Sequence, residues 1–277
     1  MKQIVDSSYL RHGLREYLSA AKDNVAILPD QLAMELFKGT GQTDVKRSLQ
    51  SLAEFPEQVL VLRSTHDVIK LRPRPDQVER EFVDAEQTMQ FRAYSQALFA
   101  GELNAQDRAH KETISNVRYS RQFGTIEVIR DSIRRIEAML TPDELKNLRA
   151  KRPMSPAFVA RFADEVLAGA GMFVIQELKM PPPTFVQMLY TYPFRYVLCA
   201  YACAIDWIMQ GAHQGASPER LMNDFTDMAY AAYGTFFDGV LTNDRKLHEI
   251  YAFARFMLTD WFLRALKQSR IAAPRST

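Results

Sequence analysis

Short apolar runs of β type, each closing on a polar or acidic residue, set the strongest limit on what this chain can fold into. "KQIVD", "VAILP" and "EQVLVLRS" fall in the first part, and "DGVLTND" comes near the end. Runs this short and this uniformly apolar suit strands covered on both faces, with helical segments between them, which specifies a parallel sheet flanked by helices. "YLRHGLREYLSAAKDN" reads as one amphipathic helix with Leu10, Leu14, Tyr17 and Leu18 on a face. Asp30 is placed to cap the helix "QLAMELFKG", which Gly39 ends, and Thr43 to cap "TDVKRSLQSLAEF". The opening pattern is therefore β-α-β-α-α-β.

After "RPRPDQ" the character changes. From about Val78 to Ala212 the period is helical and no convincing strand interrupts it. "PDQVEREFVDAEQTMQFRAYSQALFAGEL" reads as one long helix, and a second follows it, broken near Gly124. Thr141 caps "PDELKNLRAKRP", and the prolines of "MPPPTFVQ" make a rigid break. Ser217 caps "PERLMNDFTDMAYAAYGTFF"; the late strand follows, then a long apolar-striped helix from Arg245 and a tail, "SRIAAPRST", expected to fray. The expectation is an α/β fold of residues 1–75 and 215–277, interrupted by an all-α insertion over 76–214.

Composition narrows the function classes. The 277 residues are 47% hydrophobic and 25% charged, with a net charge of +2. That is an ordinary globular balance, and bulk charge argues for neither a nucleic-acid nor a membrane partner. The two cysteines, Cys199 and Cys203, lie in an apolar run and read as core thiols, which fits a cytoplasmic address. The most apolar stretch, "YVLCAYACAIDWIM", carries Asp206 and falls short of the roughly 20 residues that span a bilayer. Asp6 interrupts the N-terminal run before it reaches signal-peptide length.

In an open parallel sheet, ligands gather outside the carboxyl ends of the strands. Asp6 ends the first strand and Asp244 ends the late one, so neighbouring strands would bring the two together. Glu35 lies in the helix after the second strand. Asp227 lies in the helix before the late strand, with Asp224 three residues earlier on the same face. Carboxylates gathered at one point raise each other's pKa values, and a hard divalent cation, Mg²⁺ or Mn²⁺, is the usual remedy. Taken singly, each acid has a plainer use. Asp6 and Asp244 could cap helices, Glu35 could be a solvated helix position, and Asp238 suits a turn beside Gly239.

"IVDSSYLR", "AMELFK" and "DMAYAAYGTFFDGVLTNDRKL" together resemble the acidic motifs of the PIN-domain nucleases. The resemblance covers about half the chain. It implies a PIN-like three-layer core with a short, mostly parallel sheet and an endonuclease, most often a ribonuclease, that hydrolyses phosphodiester bonds with Mg²⁺ or Mn²⁺. On that resemblance Asp6, Glu35, Asp227 and Asp244 are the metal-holding catalytic set, with Ser7, Thr242, Asn243, Asp224 and Asp238 in support. The helical block between Glu35 and Asp227 is far longer than a compact PIN domain has there.

Within that block, Arg108, Lys111, Arg118, Arg121, Arg130, Arg134 and Arg135 recur with Tyr119 and Phe123. Such a face could follow an RNA backbone. The interspersed Glu112, Glu127, Asp131 and Glu137 suit a salt-bridged solvated helix equally well. The block could also cover the site, bind a regulatory partner or mediate homo-oligomerisation. The rival to the nuclease is a non-catalytic scaffold that keeps a PIN-like core for binding RNA or protein.

Overall fold

The computed structural model describes residues 1–10, 12–37, 42–101, 126–211 and 215–272. Strands β1 (Lys2–Val5), β2 (Val25–Leu28), β3 (Val59–Val61) and β4 (Gly239–Leu241) form one parallel sheet in the order β3-β2-β1-β4. Ile4 pairs with Ile27 on one side and Val240 on the other. The protein is α/β, as the short apolar runs require. The chain winds outward from β1 through β2 to β3, then returns much later to lay β4 on the opposite flank of β1. The connections therefore diverge at the carboxyl ends of β1 and β4, where an open sheet leaves a crevice.

Helices α1 (Ser7–Leu10) and α2 (Leu14–Ala20) replace the single helix expected after β1. Gly13 divides them at φ 100°, and a Cβ there would stand 2.8 Å from the Tyr9 ring, so left-handed backbone and close approach both call for glycine. Helices α3 (Asp30–Phe37) and α4 (Gln42–Glu54) join β2 to β3. Asp30 is the first residue of α3 rather than the cap before it, and its carboxylate accepts from the Thr65 backbone N–H at 2.8 Å. Thr43 likewise lies inside α4.

Helix α5 (Thr65–Val68) follows β3, and α6 (Val78–Phe82) and α7 (Ala85–Ala100) replace the expected long helix. Val83 leaves the helical path to bridge Leu62 in antiparallel fashion. Two backbone bonds frame the bridge, Asp84 N–H to Val61 O at 2.9 Å and Arg63 N–H to Phe82 O at 2.8 Å. Edge pairing beside β3 thus overrides helical periodicity. Asp84 then restarts the helix by accepting the Gln87 N–H at 2.9 Å.

Helices α8 (Ile126–Met139), α9 (Pro142–Arg149) and α10 (Pro156–Met172) continue the block, with α9 entered through a capping box of Thr141 and Glu144. A π-helical turn, Phe173–Glu177, ends α10 before the prolines. Then come α11 (Phe185–Met188), α12 (Tyr192–Gln210), α13 (Pro218–Gly234) and α14 (Arg245–Ala272). Ser217 caps α13 as expected, accepting from the Arg220 N–H at 3.3 Å. Helix α14 continues to Ala272, into the tail, and residues 273–277 lie outside the described residues. Gly39, Gly124, Arg108, Lys111, Arg118, Tyr119, Arg121 and Phe123 lie outside the described residues, so the expectations placed on them do too.

The helical block shares its core with the sheet. One contiguous apolar cluster holds Ile4 and Ile27 together with Ile133, Phe162, Phe194 and Leu198. Helix α12 is its centre, packed against α8, α10, α13 and α14, and Cys199 and Cys203 are buried free thiols within it. Arg195 pins α12 to the end of α13. Its guanidinium donates to Leu189 O at 3.0 Å and to Thr235 O at 2.5 Å, and lies 3.6 Å from the Phe236 ring centroid. Gly234 lets α13 press on β4, since a Cβ there would stand 2.2 Å from Val240 Cγ2. No described helix is long and apolar enough to cross a membrane.

Candidate functional site

Asp6 extends the β1–β4 pairing by one bond, its N–H donating to Leu241 O at 3.0 Å. That step carries its carboxylate to the carboxyl edge of the sheet, where it is buried. It accepts from Ser8 Oγ at 2.5 Å, Thr242 Oγ1 at 2.7 Å and Ser7 Oγ at 3.4 Å. Asn243 closes the loop, its N–H donating to Ser8 Oγ at 3.0 Å and its amide to Ser8 O at 3.0 Å. The turns after β1 and β4 are therefore stitched into one polar rim, with Asp6 held by hydroxyls on both sides.

Asp244 sits on that rim. Its N–H donates to Thr242 Oγ1 at 2.9 Å, and its Oδ1 accepts from the N–H groups of Lys246 and Leu247 at 2.7 and 3.1 Å. One carboxylate oxygen thus caps α14, so the plain use weighed for this residue is realised.

Asp227 faces the rim from α13. Burial raises its carboxyl from 3.8 to about 8, and Glu35, Asp6, Asp244 and Asp224 add to the effect in that order. Glu35 comes from α3, Asp6 from the end of β1 and Asp244 from the end of β4. Separate segments therefore direct negative charge at one half-buried group. A carboxyl at about 8 holds its proton at neutral pH, chiefly because burial disfavours its charge and further because acids surround it.

Sequence reasoning missed three residues here. Ser8 is a principal donor to Asp6, and it stands in plain sight in "IVDSS". Tyr230 follows Asp227 by three positions on α13, a spacing that puts both on one face. Its buried hydroxyl forms no well-formed hydrogen bond among the described residues, although Glu35 is near enough to act on it. Lys246 reaches from the first turn of α14 to Asp224 at 2.6 Å and to Asp206 of α12 at 3.4 Å, over the Trp207 ring at 4.7 Å. Burial works to lower this ammonium, but Cys203, Asp224 and Asp206 outweigh it and hold it above its usual range. Asp224 is therefore engaged by a cation at the margin of the acids.

Asp238 takes the turn role weighed for it and stands apart from the other acids. It precedes β4, and its Oδ2 accepts the Lys2 N–H at 2.7 Å, at the amino end of the sheet and away from Asp6. It is a turn carboxylate that ties β4 to β1.

Among the described residues, no three of His, Cys, Asp and Glu stand close enough to hold a metal ion as their side chains are placed. The fit to a hard divalent cation is one of chemistry. The donors are carboxylate oxygens with hydroxyls behind them, their mutual repulsion falls on Asp227, and a buried phenol beside them has no well-formed bond. No protein-family model, curated protein or solved structure matches the chain.

Proposed function

We propose that the protein is a Mg²⁺- or Mn²⁺-dependent endonuclease with a PIN-like core, acting on RNA. The observation that carries this reading is the hydrogen-bonded rim that brings Asp6, Thr242, Asn243 and Asp244 together where the sheet's connections diverge, with Asp227 feeling the charge of Glu35, Asp6 and Asp244. Asp6, Glu35, Asp227 and Asp244 would hold the cation. When bound, it supplies Lewis-acid stabilisation of charge on a phosphate oxygen and a lowered pKa for water. Ser8 and Thr242 orient the Asp6 carboxylate, and Asn243 fixes Ser8. Asp227 would release its proton as the cation enters, so metal affinity rises with pH up to about 8.

The test is incubation of the purified chain with mixed RNA and Mn²⁺, with single-stranded DNA as competitor. Cleavage is expected that EDTA stops and that Asp6→Asn and Asp227→Asn each reduce at least about a hundredfold. Cleavage that persists through all three would sink the reading, and efficient competition by DNA would move the substrate class.

A non-catalytic scaffold is the second reading. It is favoured by the spacing of the acids, by the use of Asp244 as a helix cap and by the hold of Lys246 on Asp224. It requires that Mn²⁺ produce neither hydrolysis nor a rise in melting temperature. The described part of the basic helix leans to the solvated alternative, since Arg134 pairs with Asp131 at 2.9 Å on an exposed face.

A further inference from the structure

Helix α13 carries two phenols a turn apart, and their surroundings differ. Tyr233 is fully buried with its hydroxyl 2.8 Å from Thr65 Oγ1. Tyr230 is as deeply buried, yet its hydroxyl lacks a well-formed hydrogen bond among the described residues. Tyr230 follows Asp227 by three residues and shares its helix face; burial raises this phenol well above its ordinary range, and Glu35, Asp6 and Asp227 raise it further. Toward an ionised carboxylate such as that of Glu35, a phenol can serve only as a donor. Left without a good bond, a buried hydroxyl weakens the fold. Phenylalanine would fill the same volume without that cost, so the fold alone gives no reason for the oxygen.

We infer that Tyr230 is a positioning residue whose hydroxyl donates to Glu35 when a divalent cation draws the acids together, and steadies that carboxylate in the bound arrangement. The inference rests on the metal-dependent reading above. Tyr230 need not touch the cation; it acts through the carboxylates. Loss of such an outer hydrogen bond typically weakens metal binding about 10–100-fold.

The experiment compares the full-length wild type with Tyr230→Phe and Tyr233→Phe. Each is titrated with Mn²⁺ by calorimetry and unfolded in urea without metal. Tyr230→Phe is expected to be at least as stable as wild type while its Mn²⁺ dissociation constant rises about 10–100-fold. Tyr233→Phe, which loses the bond to Thr65, is expected to lose stability and keep its Mn²⁺ affinity. Wild-type Mn²⁺ affinity in Tyr230→Phe overturns the role of Tyr230 and leaves the metal reading standing. Loss of metal-free stability in Tyr230→Phe to match Tyr233→Phe also overturns it, because the hydroxyl would then serve the fold. A wild type with no saturable Mn²⁺ binding overturns the metal reading and this inference together.

Discussion

The carboxyl edge of the sheet holds two polar groupings that α13 sees from one face, and they treat a carboxylate in opposite ways. Beyond β2 and β3, Asp30 accepts from the Thr65 N–H at 2.8 Å and from Thr65 Oγ1 at 2.7 Å. That same hydroxyl is 2.8 Å from the Tyr233 hydroxyl and takes a bond from the Gln31 amide at 2.8 Å. Thr65 has a single proton and Asp30 takes it, so Tyr233 is the donor to Thr65. The Asp30 carboxylate and the Thr65 and Tyr233 hydroxyls each have a complementary neighbour there. Beyond β1 and β4, hydroxyls hold Asp6, but Asp227 is pushed up by burial and then by the charges of Glu35, Asp6, Asp244 and Asp224. Asp30 is satisfied within the fold, whereas Asp227 holds its proton against its usual range, a perturbation of the kind that gathers at functional sites.

The largest expected effect tests that contrast by sign. Asp30→Ala strips the acceptor from Thr65 and should cost about 2–4 kcal/mol in urea unfolding. Asp227→Asn should instead stabilise the metal-free protein by about 1–3 kcal/mol at pH 8, because a neutral amide replaces a carboxyl that resists ionisation. If both substitutions destabilise to the same degree, the two groupings are alike and Asp227 belongs to the fold.

The pH dependence of stability sharpens the same point. The folded chain keeps the Asp227 proton up to about pH 8, while an unperturbed aspartate releases it near 3.8. The folded state then binds more protons across that window, so stability falls as pH rises from about 4 to 8 and levels off above. Asp227→Asn should remove that part of the slope. An unchanged slope in the variant would place the repulsion on another group.

Much of the fold was legible because its signals were local. The four apolar runs became the four strands, and Ser217 and Thr141 cap the helices they were read to cap. The misses came where tertiary contacts overrode periodicity. Gly13 broke a helix whose apolar face was otherwise continuous, and pairing of Val83 with Leu62 divided another. Asp30 has a helix-cap sequence context, but Thr65, distant in sequence, claims its carboxylate. At the site, Asp6, Thr242, Asn243 and Asp244 meet on one rim because strand ends become neighbours once the sheet order is set. Glu35 and Asp227 reach it electrostatically from helices on either side. Lys246 was not legible, since its partner Asp206 belongs to the helical block and no local pattern links the two.

The smallest effect concerns this lysine, which stands between the two regimes. Lys246 supplies the acid grouping with the kind of complementary neighbour that Thr65 supplies to Asp30, but only at its margin. Its side chain is partly exposed, as is that of Asp224, so the pair should contribute about 1 kcal/mol or less to stability. Lys246→Met is therefore expected to weaken the fold only slightly, and less so at high salt. Its sharper consequence is electrostatic. Asp224, three residues from Asp227 on α13, would lose its compensating cation, so its charge would bear on Asp227 unopposed and raise that midpoint further. Carboxyl titration by NMR in the wild type and Lys246→Met would measure that change directly. A midpoint that does not move would mean that Asp224 lies outside the field of the acids, and that their repulsion is set by Glu35, Asp6 and Asp244 alone.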